Sequence, residues 1–520
     1  MNVTNKKGRV YLVGAGPGRP DLITIRGLEL LKCADCVIYD KLANPALLNY
    51  ARPDAELLAV PKRVGPESFG QEQINNLLVQ KAGEGKSVVR LKGGDPYIFG
   101  RGTEEAVVLA QAGIDFEVVP GVTAAIAASC YSGIALTDRA FASEVIFVTG
   151  HEAEGKQQTG IDWQLLAKFT GTIVFYMGMK NLDGITRRLI ENGMSPDTSA
   201  TVVADATLPT QKFVKATLET IADGCTKNKI TPPALVFVGP TTAGDARLDW
   251  LAKLPLFGKT IVVTRDVVGN AEFAAKIAGR MAVTVEMPVT KIKTLTDSGD
   301  FIKTLAQIKA YDWVIFTSCN GVETFFAAMA KLGKDARVFG SAKIAAIGVR
   351  TAETLARFGI KADFVPNAFT SKDLAAGLIE FTNLRDKKVL LLRSQIASDD
   401  LPQLLKAAGA SVDNVPVYTH EKNLCDLKIF SGMLTEKNVN WITFASPFAA
   451  ACFFEQVPAD FVKSKNAKVA SIGPVTSKKL AELGVKVDIE ASEHTFDGLI
   501  FAIEQHEIRN TKYERRTTTK

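Results

Sequence analysis

At 520 residues the chain is too long for one hydrophobic core, and three or four domains are expected. With 47% apolar and 23% charged residues it has the composition of a soluble globular protein, which excludes a fibrous or disordered one. The net charge of +6 is too mild to imply nucleic acid, and no signal peptide or long apolar span stands in the sequence.

Neither nucleic acid nor a membrane is therefore expected as a partner, and the chain is read as cytoplasmic. Its seven cysteines are scattered, and Cys33-x-x-Cys36, the one close pair, has no second pair to complete a zinc site. No metal is expected.

Residues 1–8 are a polar leader. Arg9-Val10-Tyr11-Leu12-Val13 reads as a strand running into Gly14-Ala15-Gly16-Pro17-Gly18. This turn is similar to a dinucleotide fingerprint, and Asp40, closing the next strand, stands near the place of a ribose-binding acid. Pro17 has no N–H for a phosphate, and Arg19-Pro20 replaces the third glycine, so the turn suits an uncharged ligand better. A nicotinamide-dependent enzyme stays as the alternative.

A helix opens at Asp21, Lys62-Arg63 lies in a basic turn, and residues 71–83 form an amphipathic helix. Val88-Val89-Arg90-Leu91-Lys92 is a strand ending in Gly93-Gly94-Asp95-Pro96, and Thr103-Glu104-Glu105 starts a helix. Strand, glycine turn, acid and helix mark where open α/β sheets bind small molecules, with an ordinary βα turn as the plainer reading. Residues 116–125 repeat the pattern, a strand leading through Pro120-Gly121 into a small-residue helix start. A second α/β unit begins near Thr137, with strands at 145–151, 172–178, 200–204 and 234–239.

These motifs, with Phe99-Gly100-Arg101-Gly102, Val148-Thr149-Gly150-His151 and Tyr176-Met177-Gly178, stand in one order. Together they resemble uroporphyrinogen-III C-methyltransferase, of the tetrapyrrole methylase class, over about residues 8–252, with subdomains of about 8–136 and 137–252. The resemblance implies a homodimer that binds S-adenosylmethionine in a cleft between two α/β domains and releases S-adenosylhomocysteine. It implies that Pro17, Gly93, Gly94, Asp95, Ile98, Thr123, Ala124, Met177 and Ala206 line the methyl-donor site. It makes Asp40 the proton acceptor and Lys62 the proton donor. A ribose diol wants a carboxylate such as Asp95, and a glycine wall lets adenine meet backbone groups. A helix cap for Asp40, and a solvated loop or carboxylate binding for Lys62, are the plainer alternatives. Arg19, Glu67, Asp138 and Ala206 depart from the family pattern, the first three at positions of expected tetrapyrrole contact.

Residues 253–257 read as a linker. Beyond them the chain repeats itself. Lys259–Arg265 is echoed by Lys387–Arg393, and Phe316-Thr317-Ser318 by Phe444-Ala445-Ser446, both at an offset of 128 (387 − 259 and 444 − 316). Two copies at one offset mean a duplicated α/β domain. Phe-Thr-Ser at a strand end, Val417-Tyr418 and Ile472-Gly473-Pro474-Val475-Thr476 resemble uroporphyrinogen-III synthase. The resemblance implies two α/β lobes joined by a two-stranded link: 258–290 with 421–506, and 291–420. It implies cyclisation of hydroxymethylbilane with inversion of ring D. Tyr418 is the candidate for assisting loss of the hydroxyl, with hinge packing as the alternative. Thr317, Ser318, Ser446 and Thr476 are candidate carboxylate binders, or simple helix caps. Residues 507–520 read as a disordered tail.

The expected whole is an α/β protein: a two-domain tetrapyrrole methylase unit, then a two-domain synthase-like unit. It is expected to make uroporphyrinogen III and methylate it at C-2 and C-7 to precorrin-2, for sirohaem or cobalamin. The alternatives are a methylase for another precorrin, or a ligand-sensing second half.

Overall fold

The computed structural model describes residues 7–60, 70–150, 160–368, 370–425, 439–464 and 466–517. They form two compact units, one drawn mainly from the chain up to Lys259 and the other mainly from Thr260 to His506.

The first unit opens with β1 (Val10–Gly14), β2 (Cys36–Tyr39), β3 (Glu56–Ala59), β4 (Val88–Lys92) and β5 (Phe116–Val119). They pair in parallel in the order β3-β2-β4-β1-β5. Helices cover both faces. Val10, Leu12, Ile38 and Val88 pack with Ile74 and Leu78 on one face, and Val13, Val37, Val89 and Leu91 with Leu31 on the other. The chain leaves β1 toward β2 on one side and leaves β4 toward β5 on the other. This reversal between neighbouring strands opens a crevice beyond their carboxyl ends.

The same unit holds β6 (Val145–Thr149), β7 (Thr172–Tyr176), β8 (Ser199–Ala204), β9 (Lys212–Thr217) and β10 (Ala234–Val238), in the order β6-β7-β10-β8-β9. Only β6 and β7 pair in parallel here. The edge strand β9 is absent from the sequence reading. Its exposed Lys212, Phe213 and Lys215 break the apolar run by which a buried strand is recognised.

In the second unit β11 (Thr260–Val263), β12 (Val283–Glu286), β18 (Val439–Phe444), β19 (Lys468–Ser471) and β20 (Ile489–Glu490) form one sheet, in the order β12-β11-β18-β19-β20. The other sheet contains β13 (Thr290–Thr294), β14 (Trp313–Phe316), β15 (Lys343–Ala346), β16 (Lys388–Ser394) and β17 (Ser411–Lys422), in the order β13-β17-β16-β14-β15. The repeat offset equates β11 with β16 and β18 with β14. The run β12-β11-β18-β19 then has the same order as β17-β16-β14-β15, which is the duplication expressed in three dimensions.

β17 pairs in parallel with β16 and then, from Tyr418 to Lys422, antiparallel with β13. Residues 287–289 lead from β12 into β13, so β13 and β17 carry the chain between the two sheets. The last helix, Phe496–Thr517, runs through the segment expected to be a disordered tail. Leu499, Ile500 and Ile503 are fully buried and anchor it, and Glu507 is still 5% exposed, so the helix has a reason to continue.

The core around β14 is aromatic. Phe325 meets Phe301, Phe316, Phe326 and Phe339 at centroid distances of 5.4–6.0 Å. Phe325→Ala is expected to destabilise the second unit by about 3–5 kcal/mol, read from its denaturant midpoint, and a loss below about 1 kcal/mol would contradict this packing.

Candidate active sites

Three glycine turns meet at the carboxyl ends of β4, β1 and β5. Gly16 and Gly94 exchange backbone hydrogen bonds of 3.2 and 2.8 Å, and Ala15 donates to the Lys92 carbonyl at 2.7 Å. Cβ atoms are excluded where the turns touch. One on Gly121 would come within 2.2 Å of the Gly94 carbonyl oxygen, and one on Gly14 within 2.5 Å of Gly121 Cα. Gly94, at φ +70°, faces a gap instead, its nearest neighbours being Ala124 N at 3.9 Å and Thr123 Cα at 4.0 Å. Asp95 braces this arrangement by accepting from Tyr97 N at 2.8 Å and Gly121 N at 3.0 Å. Each carboxylate oxygen keeps acceptor capacity for a further donor.

The second sheet supplies the facing wall. Tyr176, at the end of β7, bonds Thr123 Oγ1 at 2.7 Å and accepts from Ala125 N at 3.1 Å. Burial pushes its phenol up, and Phe99 packs on the ring at 4.9 Å. Met177, Asp205 and Thr207 take left-handed backbone at φ +56°, +49° and +71°. Non-glycine residues rarely adopt it, and it clusters where function over-determines the backbone. The turn at Ala206 packs on the first glycine loop. Arg19 N donates to Thr207 Oγ1 at 3.0 Å, and a Cβ on Gly18 would sit 2.9 Å from the Ala206 carbonyl oxygen. Pro17, Gly94, Asp95, Thr123, Ala124 and Ala206 thus lie on turns joined by these contacts, and Met177 follows Tyr176 directly in the chain. Gly93 adjoins Leu42, and Ile98 is partly exposed in the loop beyond Asp95.

Beneath the crevice lies a charge cluster that the sequence reading misses. Arg90 and Lys92 lie on the face of β4 that also bears Val88, and both are buried. Glu105, fully buried on the helix Gly102–Gln111, accepts from Lys92 Nζ at 2.9 Å with both oxygens and from Arg90 Nε at 3.2 Å. Gln71 Nε2 adds a bond of 3.2 Å. Burial holds the Lys92 ammonium below its ordinary value, and Arg90 beside it adds to the effect. Arg90 Nη2 reaches out of the cluster to Asp40 Oδ1 at 2.6 Å, and the Asp40 side chain is 17% exposed. Asp40 is therefore held by an arginine rather than acting as a helix cap. Arg90 and Lys92, two charges inside a buried strand, are the sequence signal that partners are needed, though not of which ones.

Lys62 and Glu67 lie outside the described residues. Among the departures from pattern, Arg19 pairs with Asp21, and Asp138 Oδ1 accepts from Ala140 N at 2.8 Å. Cys36 is buried with its thiol pushed up to about 11 by burial, and Cys33 is exposed. Among the described residues no cluster of three acids, histidines or cysteines could hold a metal. An open slot at Gly94, backbone polar groups and one carboxylate fit the uncharged adenosine end of S-adenosylmethionine.

In the second unit Tyr418 is 4% exposed, where β17 changes partner from β16 to β13. Its hydroxyl lies 3.0 Å from Ser318 Oγ and also bonds Ser394. Burial pushes this phenol up, against the two serine bonds. Ser318 and Ser446 each cap a helix, accepting from Gly321 N at 3.0 Å and Ala449 N at 3.1 Å, and the Ser446 hydroxyl still has a proton to donate. Thr317 is half-buried beside Ser318, and Thr476 is buried in the first turn of the helix Pro474–Glu482. Only Ser318, of these four, meets Tyr418 directly among the described residues. His420, which the sequence reading also misses, stands 5.4 Å from the Tyr418 ring, and burial holds its imidazole below the ordinary 6.5.

Two glycine-and-hydroxyl-lined sites on α/β sheets describe a small-molecule enzyme. Residues 9–222 match the family model of tetrapyrrole (corrin/porphyrin) methylases, and residues 271–500 that of uroporphyrinogen-III synthase HemD. The porphyrin biosynthesis protein HemD of Ruminiclostridium josui is 36% identical over 494 residues, 95% of this chain and 97% of its own. A uroporphyrinogen-III C-methyltransferase of Bacillus subtilis is 39% identical over 354 residues, 68% of this chain and 72% of its own. The S-adenosyl-L-methionine-dependent uroporphyrinogen III methyltransferase of Methanosarcina barkeri is 47% identical over 232 residues, 45% of this chain and 91% of its own. The chain belongs to the porphyrin biosynthesis family in which a tetrapyrrole methylase is fused to a uroporphyrinogen-III synthase.

Glu105→Ala strands the buried Lys92 ammonium, leaves Arg90 with Asp40 alone, and is expected to destabilise the first unit by about 3–5 kcal/mol. Glu104→Ala, which opens a half-exposed pair with Arg101, is expected to cost less than about 1 kcal/mol. Equal denaturant midpoints for the two variants would refute the assignment.

His420 gives a pH signature. Its folded value is depressed, so the unfolded chain takes up the proton first as pH falls. The contribution is whole above 6.5 and is lost as pH drops toward the folded value. His420→Gln should flatten the decline of the second unit's unfolding midpoint between about pH 7 and about pH 5, and an unchanged slope would count against it.

Proposed function

We propose that the second unit closes hydroxymethylbilane to uroporphyrinogen III with inversion of ring D. The first unit then methylates that product at C-2 and C-7 to precorrin-2, the precursor of sirohaem and cobalamin. The observation that carries this reading is the match to one relative along nearly the whole chain, together with a built site in each half.

S-adenosylmethionine supplies the methyl group. The chain's own part is to bind and to move protons. Asp95 offers its free lone pairs to the ribose hydroxyls, and the turns at Pro17, Gly93, Gly94, Ile98, Thr123, Ala124, Met177 and Ala206 surround the donor. Methyl transfer to a fully substituted pyrrole carbon leaves a positive charge on the ring system. Asp40, kept in place by Arg90, accepts the proton that the macrocycle then loses from elsewhere than the methylated carbon, and Lys62 returns one to the macrocycle.

In the second unit Tyr418, with Ser318 and Ser394 on its hydroxyl, assists departure of the substrate hydroxyl. The pyrrole itself stabilises the resulting cation, so the main task is to hold a flexible chain of carboxylates in a ring-closing shape. Thr317, Ser318, Ser446 and Thr476 serve that grip. Fusion raises the local concentration of an oxidisable intermediate.

The protein works in the cytoplasm as a homodimer formed through the first unit. Exposed Leu42 and Phe141 on that unit support the dimer.

A coupled assay from hydroxymethylbilane and S-adenosylmethionine, with mass analysis, is expected to give precorrin-2. Asp40→Asn should slow methylation by roughly tenfold or more and spare cyclisation, and Tyr418→Phe should do the reverse. Formation of isomer I alone, at the spontaneous rate, would sink the synthase assignment.

A further inference from the structure

Arg393 is the one arginine of β16 and is 2% exposed. Its Nη2 donates to the Ser398 carbonyl at 2.5 Å, and its buried Nε has no partner. Among the described residues no carboxylate pairs with it, and Asp399 acts on it only at a distance. A buried guanidinium left in this state is costly, and an anion would relieve the cost.

Its surroundings say which anion. The next residue, Ser394, bonds the Tyr418 hydroxyl, and the strand pairing shifts between Arg393 and Ser394. Residues 395–399 follow, held on one side by Gln395 N donating to the Tyr418 carbonyl at 2.9 Å. Gln395, Ile396 and Ser398 in this loop are exposed. Arg393 therefore lies at the carboxyl end of a parallel strand, next to the hydroxyl cluster and under a short outer loop.

The internal repeat supplies an independent observation. Its offset places Arg265 of the other sheet at the position of Arg393 (393 − 265 = 128). Arg265 is 29% exposed, has Asp266 at 3.6 Å and lies over the Phe496 ring, and its charge is felt at Tyr418 and His420. Each copy thus brings an arginine to the end of its equivalent strand, and only the copy in β11 supplies a carboxylate beside it.

We propose that Arg393 binds a side-arm carboxylate of the linear tetrapyrrole, with loop 395–399 giving way to admit it. The proposal rests on the synthase reading of the second unit. A charge-assisted fork to a carboxylate is made equally in the ground and transition states, so its loss appears in KM rather than kcat.

The test uses the full chain with Arg393→Met, which keeps length without charge, and Arg393→Lys. In steady-state cyclisation of hydroxymethylbilane, Arg393→Met is expected to raise KM by about tenfold or more with kcat little changed. Arg393→Lys should recover part of the loss, and the unfolding midpoint of Arg393→Met should hold or rise. KM within about twofold of wild type in both variants would overturn the proposal, as would a rise in KM that lysine does not relieve. If the wild-type chain forms no uroporphyrinogen III, the synthase reading fails instead. The carboxylate site is then read with malonate alone, which should raise the wild-type unfolding midpoint and leave that of Arg393→Met unmoved; an equal response would overturn it.

Discussion

One buried carboxylate sets the conditions for the first site. Glu105 meets Lys92 through both of its oxygens and Arg90 through one, and it lets β4 carry two cations through a core otherwise closed to charge. Without it, the strand could not be buried on that face and still end in the glycine turn that the crevice needs. The same arrangement extends outward, since Arg90 also grips Asp40. A fully buried carboxylate therefore helps to fix, through Arg90, the partly exposed side chain of Asp40.

The sequence made the α/β architecture legible because its strands are buried on both faces and read as apolar runs bounded by glycine. The glycine turns were legible for a related reason. Gly14 and Gly121 have no room for a Cβ, and such positions stand out in a chain without knowledge of the fold. What stayed hidden depends on pairing across the fold. Nothing near Arg90 in sequence announces Asp40, which lies 50 residues away. The strand β9 and the helical continuation past Glu507 were missed because partial exposure dilutes the apolar signal. Ser318 and Ser446 were legible as helix starts, and the structure shows both as caps. Ser394 and His420 became meaningful only when β17 was seen to run past both.

The duplication explains why the second unit is harder to read than the first. Two copies of one strand order have diverged around a shared plan, so a residue's role depends on which copy bears it. Arg265 has an acidic neighbour and an aromatic ring, whereas Arg393 has a carbonyl and an unpaired nitrogen. Equivalent backbone positions thus present different electrostatic environments.

The double allegiance of β17 has a geometric consequence. Its first part belongs to the ladder with β16 and its last part to the ribbon with β13, and Tyr418 stands where one gives way to the other. A point on a pivot travels least when the bodies on either side rotate. Any swing of one lobe about this ribbon would move the far edges of the two sheets most and leave the phenol almost still. Under the proposed cyclisation, grip on a flexible substrate would change while the phenol beside the departing hydroxyl kept its place.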